Sequence, residues 1–167
     1  MIETISARRR SGDNSKSTLN IEGTYLKFKL NTRDYGIDIL WVKEIIPMAP
    51  IRSIPHSPPH VHGILNFRGS SIPIVSIKNK LGVRDAQIDR DNARIIVLEH
   101  RDSNNSKAVG IVVDSVSSVF NVAADRIADA SSFRTPGNAN YILAFAKMDD
   151  GMKILLDSQN VFDVKLN

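Results

Sequence analysis

The sequence predicts a mainly β protein, an antiparallel barrel or sandwich that carries two or three brief helices. Short apolar segments recur along the chain at near-regular spacing, and several of them alternate between apolar and polar residues. Turn-forming Gly, Pro, Asn and Asp residues separate these segments. A chain of 167 residues with a hydrophobic content of 42% can bury a substantial core, so we expect one domain with room for two lobes.

The first predicted elements form a β-hairpin. Residues 24–30 (TYLKFKL) alternate strictly and place Leu26, Phe28 and Leu30 on one face, which predicts a half-buried strand. Residues 35–39 are typical of the returning strand of that hairpin.

A short helix is predicted over residues 40–46 (LWVKEII), where the alternation breaks. Such a helix would turn Val42 and Ile45 inward and Glu44 toward the solvent. Pro47 ends it, because proline cannot continue a helix.

The rest of the chain predicts further strands and one more helical turn. Residues 84–93 and 123–140 are polar or rich in turn-forming residues, and we expect them to be exposed connections. The predicted strands cover 51–55, 63–67, 71–77, 94–99, 108–113 and 114–122, the helical turn covers 78–82, and a final hairpin joins 141–148 to 152–156.

Composition excludes several classes of site. The chain has no cysteine, which excludes disulfides, thiolate metal sites and cysteine nucleophiles and fits a reducing cytoplasm. Its longest apolar runs, such as residues 110–113, are too short to span a bilayer. No apolar segment follows the arginines near the N-terminus, so a secretory signal is not predicted.

Half of the net charge lies in the first residues. Residues 1–20 contain four basic and two acidic residues, which supply +2 of the net charge of +4. We expect them to form a basic, disordered arm. A basic SH3-like or OB-like nucleic-acid-binding module is the alternative, and its binding would involve Arg8, Arg9 and Arg10 and depend steeply on salt. The mixed charges of the remaining residues and the aromatic content of 6% of the whole chain argue against that alternative.

Three of the four histidines, His56, His60 and His62, lie in one proline-containing segment. Zinc needs three or four ligands on a fixed scaffold, and no acidic residue accompanies these histidines. Pro58 and Pro59 favour extended backbone, which separates His56 from the other two. We interpret the histidines as surface residues, and a metal-dependent enzyme built on them is a further alternative.

The sequence contains no recognisable catalytic motif. It has no Gly-x-Ser-x-Gly elbow and no glycine-rich phosphate loop that opens a helix. The remaining candidates are Glu44 and the turn at residues 66–69. An exposed arginine in a tight turn, here Arg68, suits a binding hot spot, because its planar fork pairs with carboxylates and packs flat on apolar surfaces.

Four segments of the chain resemble, in order, the sequence blocks of one known family. They are residues 35–46 (YGIDILWVKEII), residues 54–75 with the Asn-Phe-Arg-Gly turn, residues 110–119 (GIVVDSVSSV) and residues 146–157 (AKMDDGMKILLD). These blocks resemble those of CheW-like domains, the adaptors of bacterial chemotaxis.

The resemblance implies a fold and a role. It implies two SH3-like five-stranded antiparallel β-barrel lobes, intertwined in one CheW-like domain over residues 21–167, with no catalysis and no cofactor or metal. Members of this family couple chemoreceptors to the histidine kinase CheA. One surface binds the regulatory domain of the kinase, and a groove between the barrels takes the cytoplasmic tip of the receptor. The implied location is cytoplasmic, at membrane-associated receptor arrays, without membrane insertion or nucleic-acid binding.

The resemblance also implies protein-binding residues, which are carried over by motif. We further predict an ion pair between Glu44 and Arg68 that fixes the orientation of the arginine. The implied binding residues are Val42, Glu44, Gly63, Asn66, Arg68, Gly69 and Val119.

The chain departs from the family blocks at three positions. Phe67 replaces the usual Leu before Arg68, Ser76 stands where Asp is usual, and Ala144 stands where Gly is frequent. These departures bear on partner affinity or local geometry more than on the fold. The same adaptor role in another pathway, such as surface motility, also fits the sequence.

Overall fold

The structure, a computed structural model, describes residues 21–84, 89–102, 105–128 and 139–163. The basic arm predicted at residues 1–20 lies outside these ranges, and so do parts of the connections predicted at 84–93 and 123–140.

Within the described ranges the chain forms eleven β-strands and two short α-helices. In chain order these are β1 (Gly23–Leu30), β2 (Arg33–Asp38), β3 (Val42–Pro47), β4 (Val61–Phe67), β5 (Ser70–Val75), α1 (Ile77–Leu81), β6 (Arg94–Asp102), β7 (Asn105–Val113), β8 (Ser115–Val122), β9 (Ile127–Ala128), β10 (Ile142–Met148), β11 (Gly151–Leu156) and α2 (Ser158–Phe162).

The strands form two sheets. One has six strands in the order β8-β1-β2-β11-β10-β9, and the other has five in the order β3-β6-β7-β5-β4. Most neighbours are antiparallel, as expected, whereas β2 pairs with β11 and β5 with β7 in parallel. The mainly β, two-lobed prediction is confirmed, although neither sheet is a closed barrel and one of them contains a sixth, two-residue strand.

The predicted first and last hairpins are both present. In β1 the side chains of Leu26, Phe28 and Leu30 are buried, and Phe28 lies opposite Tyr35 of β2. In the last hairpin β10 and β11 pair up to Met148 and are joined by a tight turn. Alternation of side chains therefore predicted the buried face of β1.

The helix predicted over residues 40–46 is wrong. A 3-10 turn covers Ile39–Trp41, and Asp38 caps it by accepting a hydrogen bond from the backbone N–H of Leu40. The chain then continues as β3, which pairs with β6 and has a register shift directly after its first residue. Burial along β3 nevertheless alternates: Glu44 lies on the half-buried face, and Ile45, on the other face, is 40% exposed rather than directed inward.

Two smaller predictions are also corrected. Residues 51–55 form no strand and contribute only an isolated bridge between Arg52 and Ile64. The connection predicted at 123–140 contains a 3-10 turn, Ala124–Arg126, followed by β9.

The helical turn predicted at 78–82 is present as α1. The Ser76 side chain accepts from the N–H of Asn79 at its start, and Gly82 ends it with a φ of 70°. Because Ser and Asp are both favourable helix caps, the departure at Ser76 is compatible with the local structure.

One buried cluster joins the two sheets. It combines Leu26 and Ile154 of the six-stranded sheet with Ile96 and Ile111 of the five-stranded sheet, and both helices pack against it. Each sheet also has a smaller cluster of its own. The shared cluster fixes the two sheets relative to each other, so surface residues on either sheet belong to one rigid framework.

Candidate functional site

The turn between β4 and β5 presents Arg68 at the surface. Phe67 and Ser70 face each other across the hairpin, so Arg68 and Gly69 are its two loop residues, with φ of 49° and 81°. Positive φ at both positions is the requirement of a type I′ turn, and it costs a non-glycine residue about 1 kcal/mol. Backbone strain at an exposed arginine in a hairpin turn indicates a functional constraint.

Glu44 of β3 holds the Arg68 side chain. The Nη2 atom of Arg68 donates to Oε1 of Glu44 over 2.6 Å, so the predicted ion pair is present. The Arg68 side chain is still 69% exposed and that of Glu44 is 30% exposed. The two strands involved stand at opposite ends of the five-stranded order, which means that the sheet curls until its edges approach.

Backbone contacts close the same gap between the sheet edges. The N–H and C=O groups of Arg52 and Ile64 bond reciprocally over 2.9 and 2.8 Å. Gly63, next to this bridge, is buried with a φ of 150°, and a Cβ there would lie 2.2 Å from the carbonyl oxygen of Arg52. The close approach of two backbones explains why this position requires glycine.

Phe67 is the second group that holds Arg68. Its half-buried side chain packs on the apolar cluster of the five-stranded sheet, and the Cζ atom of Arg68 lies 5.2 Å from the centre of its ring. This distance is within the range of cation–π contact. The exchange of Leu for Phe at this position did not by itself indicate this contact.

The other predicted residues lie at three places. Asn66 is exposed on β4, directly before Phe67, and Val42 is half-buried at the start of β3. Val119 is on β8 of the six-stranded sheet, and with an exposed fraction of 55% it is a large apolar side chain in water. The structure therefore groups Val42, Glu44, Gly63, Asn66, Arg68 and Gly69 on the five-stranded sheet and places Val119 on the other.

A groove runs along elements of both sheets beside this turn. It consists of two adjoining cavities of about 750 and 790 Å³, and both are lined by Lys43, Glu99, His100 and Gln159. The first also contains Val42, and the second contains Phe67 and Arg68. The Arg68 turn and the start of β3 thus border neighbouring cavities that have four lining residues in common.

Aromatic side chains form part of the groove wall. The rings of Trp41 and His100 stack with centroids 4.7 Å apart and planes 12° apart, and Phe162 of α2 lies 5.5 Å from Trp41. Lys43 and Glu99, which line both cavities, form an ion pair over 2.7 Å. The sequence did not indicate these residues as part of a site, although Trp41 is the single tryptophan and lies in the first family-like block.

The histidine segment is separate from these contacts. His56 and His62 are exposed and His60 is half-buried. Across the described ranges, no three His, Cys, Asp or Glu side chains are grouped so that they could hold a metal ion. In the same ranges, none of the helices has the length and apolar character needed to cross a membrane.

Comparison with known proteins identifies the family. The model of the CheW-like domain family matches residues 24–165. The chain belongs to the CheW-like family. The chemotaxis protein CheW of Klebsiella aerogenes is 32% identical over 137 residues, which are 82% of this chain and 80% of that protein. The chemotaxis protein CheW of Treponema pallidum is 30% identical over 141 residues, 83% of this chain and 81% of that protein.

A solved CheW-like structure has the same architecture. The crystal structure of the scaffolding protein TtCheW from Thermoanaerobacter tengcongensis superposes with a TM-score of 0.74 at 28% identity. The match covers 87% of this chain and 91% of that one. The family resemblance noted from the four sequence blocks is therefore confirmed.

Proposed function

We propose that the protein is a non-catalytic chemotaxis adaptor that couples chemoreceptors to the histidine kinase CheA. The observation that carries this proposal is the family match, which spans all of the described sheet strands except the first residue of β1. The relatives are named as chemotaxis proteins and the similar structure as a scaffolding protein. The comparisons give the nucleic-acid-binding alternative no support.

The partner surfaces are a finer part of the proposal. We assign the regulatory domain of CheA and the cytoplasmic tip of the receptor as partners, with binding at cytoplasmic, membrane-associated receptor arrays. The exposed Arg68 turn beside the groove and the exposed Val119 on the other sheet support two contact areas on one framework. The proposed binding residues are Val42, Glu44, Asn66, Arg68, Gly69 and Val119, with Gly63 acting through the backbone contact that it permits.

The ion pair orients Arg68 more than it stabilises the fold. An exposed pair contributes about 0–1 kcal/mol to folding, because water and salt screen it. Only Nη2 of Arg68 bonds to Glu44, and a guanidinium has five N–H donors. The remaining donors of a side chain that is mostly exposed are free to bind carboxylate or carbonyl groups of a partner.

Charge reversal at Arg68 tests the proposal. We expect Arg68→Glu to retain the fold, because the side chain is exposed, and to abolish kinase activation in an assay reconstituted from receptor-bearing membranes, CheA and this protein. Arg33→Glu, an equal change of charge at an exposed position on β2, is the control and should leave activation near the native level. Full activation with Arg68→Glu would contradict the assignment of the site.

A further inference from the structure

The Arg68 side chain contacts the Phe67 ring in addition to its ion pair with Glu44. The turn leaves Arg68 with a positive φ, and its guanidinium then has one contact with a charge, Glu44, and one with an aromatic ring, Phe67. The two contacts differ in kind. Salt screens an exposed ion pair, whereas the contact of a cation with a ring face includes dispersion and apolar burial that salt screens less.

The apolar cluster of the five-stranded sheet fixes the position of the Phe67 ring. Phe67 packs against the apolar cluster that contains Leu65 and Ile72, so its ring is held by the sheet rather than by the arginine. Arg68, in contrast, is mostly exposed and has a long side chain that would otherwise lose much rotamer freedom when a partner binds. A fixed ring in contact with the exposed guanidinium reduces that loss before the partner binds.

We propose that Phe67 is a positioning residue for partner binding: its ring holds the Arg68 guanidinium in the orientation that the partner requires and makes this orientation tolerant of salt. The inference rests on the proposed function, in which Arg68 contacts a partner. Leu, the residue usual at this position in the family blocks, has an apolar side chain without a ring face. Phe67→Leu therefore removes the ring contact while it keeps an apolar side chain in the sheet.

The test is a double-mutant cycle on partner binding, with Phe67→Leu, Arg68→Asn and the double variant. Asn suits the first loop residue of this turn, the position of Arg68, because Asn tolerates positive φ. Arg68→Asn therefore removes the guanidinium without adding strain. Titrations with CheA and with receptor-bearing membranes are made separately, at about 50 and about 300 mM salt. The partner whose binding Arg68→Asn weakens is the one used for the cycle.

We expect Phe67→Leu to weaken that binding by about two- to five-fold, with the larger loss at the higher salt concentration. In the Arg68→Asn background the same change should have no further effect. Phe67→Tyr, which retains the ring, should restore native binding. A purely structural role of Phe67 would instead lower binding by the same factor in both backgrounds. Denaturant unfolding of each variant measures the loss of fold stability independently of binding.

The outcomes separate the two proposals. Equal losses from Phe67→Leu in both backgrounds, or no loss at all, would overturn the positioning role while the binding site stands. If Arg68→Asn weakens binding to neither partner, the assignment of Arg68 itself is wrong and the role of Phe67 is overturned with it.

Discussion

Gly63 illustrates how a single residue supports the binding surface without contacting a partner. The family blocks imply a binding role for it, yet the residue is buried and faces the carbonyl oxygen of Arg52. Its contribution is to let the segment after β3 bond to β4, and this contact brings the two edges of the five-stranded sheet together. Glu44 and Arg68 meet across the same gap. A substitution at Gly63 should therefore impair binding through the fold.

We predict that Gly63→Ala lowers the unfolding free energy by about 2–4 kcal/mol, because the new methyl group would clash with a backbone oxygen at a positive φ. Gly69→Ala is the matched control, since its φ of 81° is also positive but no atom lies within 4 Å of the added Cβ. Gly69→Ala should lower the unfolding free energy by about 1 kcal/mol, which is the backbone strain alone. Denaturant unfolding compares the two, and equal losses would contradict the proposed clash.

At the scale of elements, α2 depends on a lysine from α1. The buried ammonium of Lys80 donates to the carbonyl oxygens of Asn160, Val161 and Asp163 over 3.3, 3.0 and 2.9 Å, and so caps the end of the helix. Removal of the ammonium from water lowers the pKa of Lys80 to about 8, although the Asp163 carboxylate opposes the shift. Since α2 carries two groove residues, Gln159 and Phe162, this contact supports the groove wall.

The lowered pKa of Lys80 predicts a pH dependence with a definite sign. Between pH 8 and 10.5 the unfolded chain keeps the proton that the folded chain has released, so this group makes the unfolding free energy rise with pH. We expect the stability of the native chain, measured relative to Lys80→Met, to increase over that range and to be constant just below it. Chemical denaturation across the range measures the difference, and a difference that stays flat or falls would show that the pKa is not lowered.

A second element-scale feature is a charged network on the six-stranded sheet. The buried Lys153 ammonium bonds to Asp34 over 2.9 Å and to Asp150 over 3.1 Å, and Lys27 also pairs with Asp150. Burial alone would lower the pKa of Lys153, but the hydrogen bonds that its ammonium donates to the Asp34 and Asp150 carboxylates outweigh burial and raise the pKa. The network keeps β1, β2 and the last hairpin together without contributing to the groove.

For the whole molecule, the decisive property is that two exposed areas lie on different sheets with a common core. Val119 is exposed on β8, whereas Val122, three residues further along the same strand, is 3% exposed within the apolar cluster of the six-stranded sheet. The first position is therefore available to a partner and the second is needed for folding. This arrangement suits an adaptor, because two partners can then bind separate surfaces of one body.

We predict that Val119→Asp changes the unfolding free energy by less than about 0.5 kcal/mol, as is usual for exposed positions, yet lowers receptor-dependent kinase activation. The same change at Val122 should instead destabilise the fold severely, because it buries an uncompensated charge. Thermal unfolding and the reconstituted kinase assay are measured on both variants. Normal activation by a well-folded Val119→Asp protein would remove Val119 from the proposed site.

The predictable part of the molecule is the part that local pattern determines. The alternation in β1 and the Asn-Phe-Arg-Gly turn are local, and the pairing of Glu44 with Arg68 was inferred from the two-barrel fold that the resemblance implies. The sequence of β3 does not show a strand pattern, because the charged Glu44 lies on the half-buried face and the apolar Ile45 on the exposed face. The stacking of Trp41 on His100 and the contact of Lys80 with α2 join residues far apart in the chain, so no local pattern could indicate them.

The order of the strands has a consequence for synthesis of the chain. The five-stranded sheet uses one continuous segment, β3 to β7, whereas the six-stranded sheet joins β1 and β2 to strands that follow β7. While the protein emerges from the ribosome, β1 and β2 have only each other as sheet neighbours until β8 is translated. The pairing of β2 with β11 then waits for the last strand. The sheet that carries the Arg68 turn can be complete while the sheet that carries Val119 is still being made.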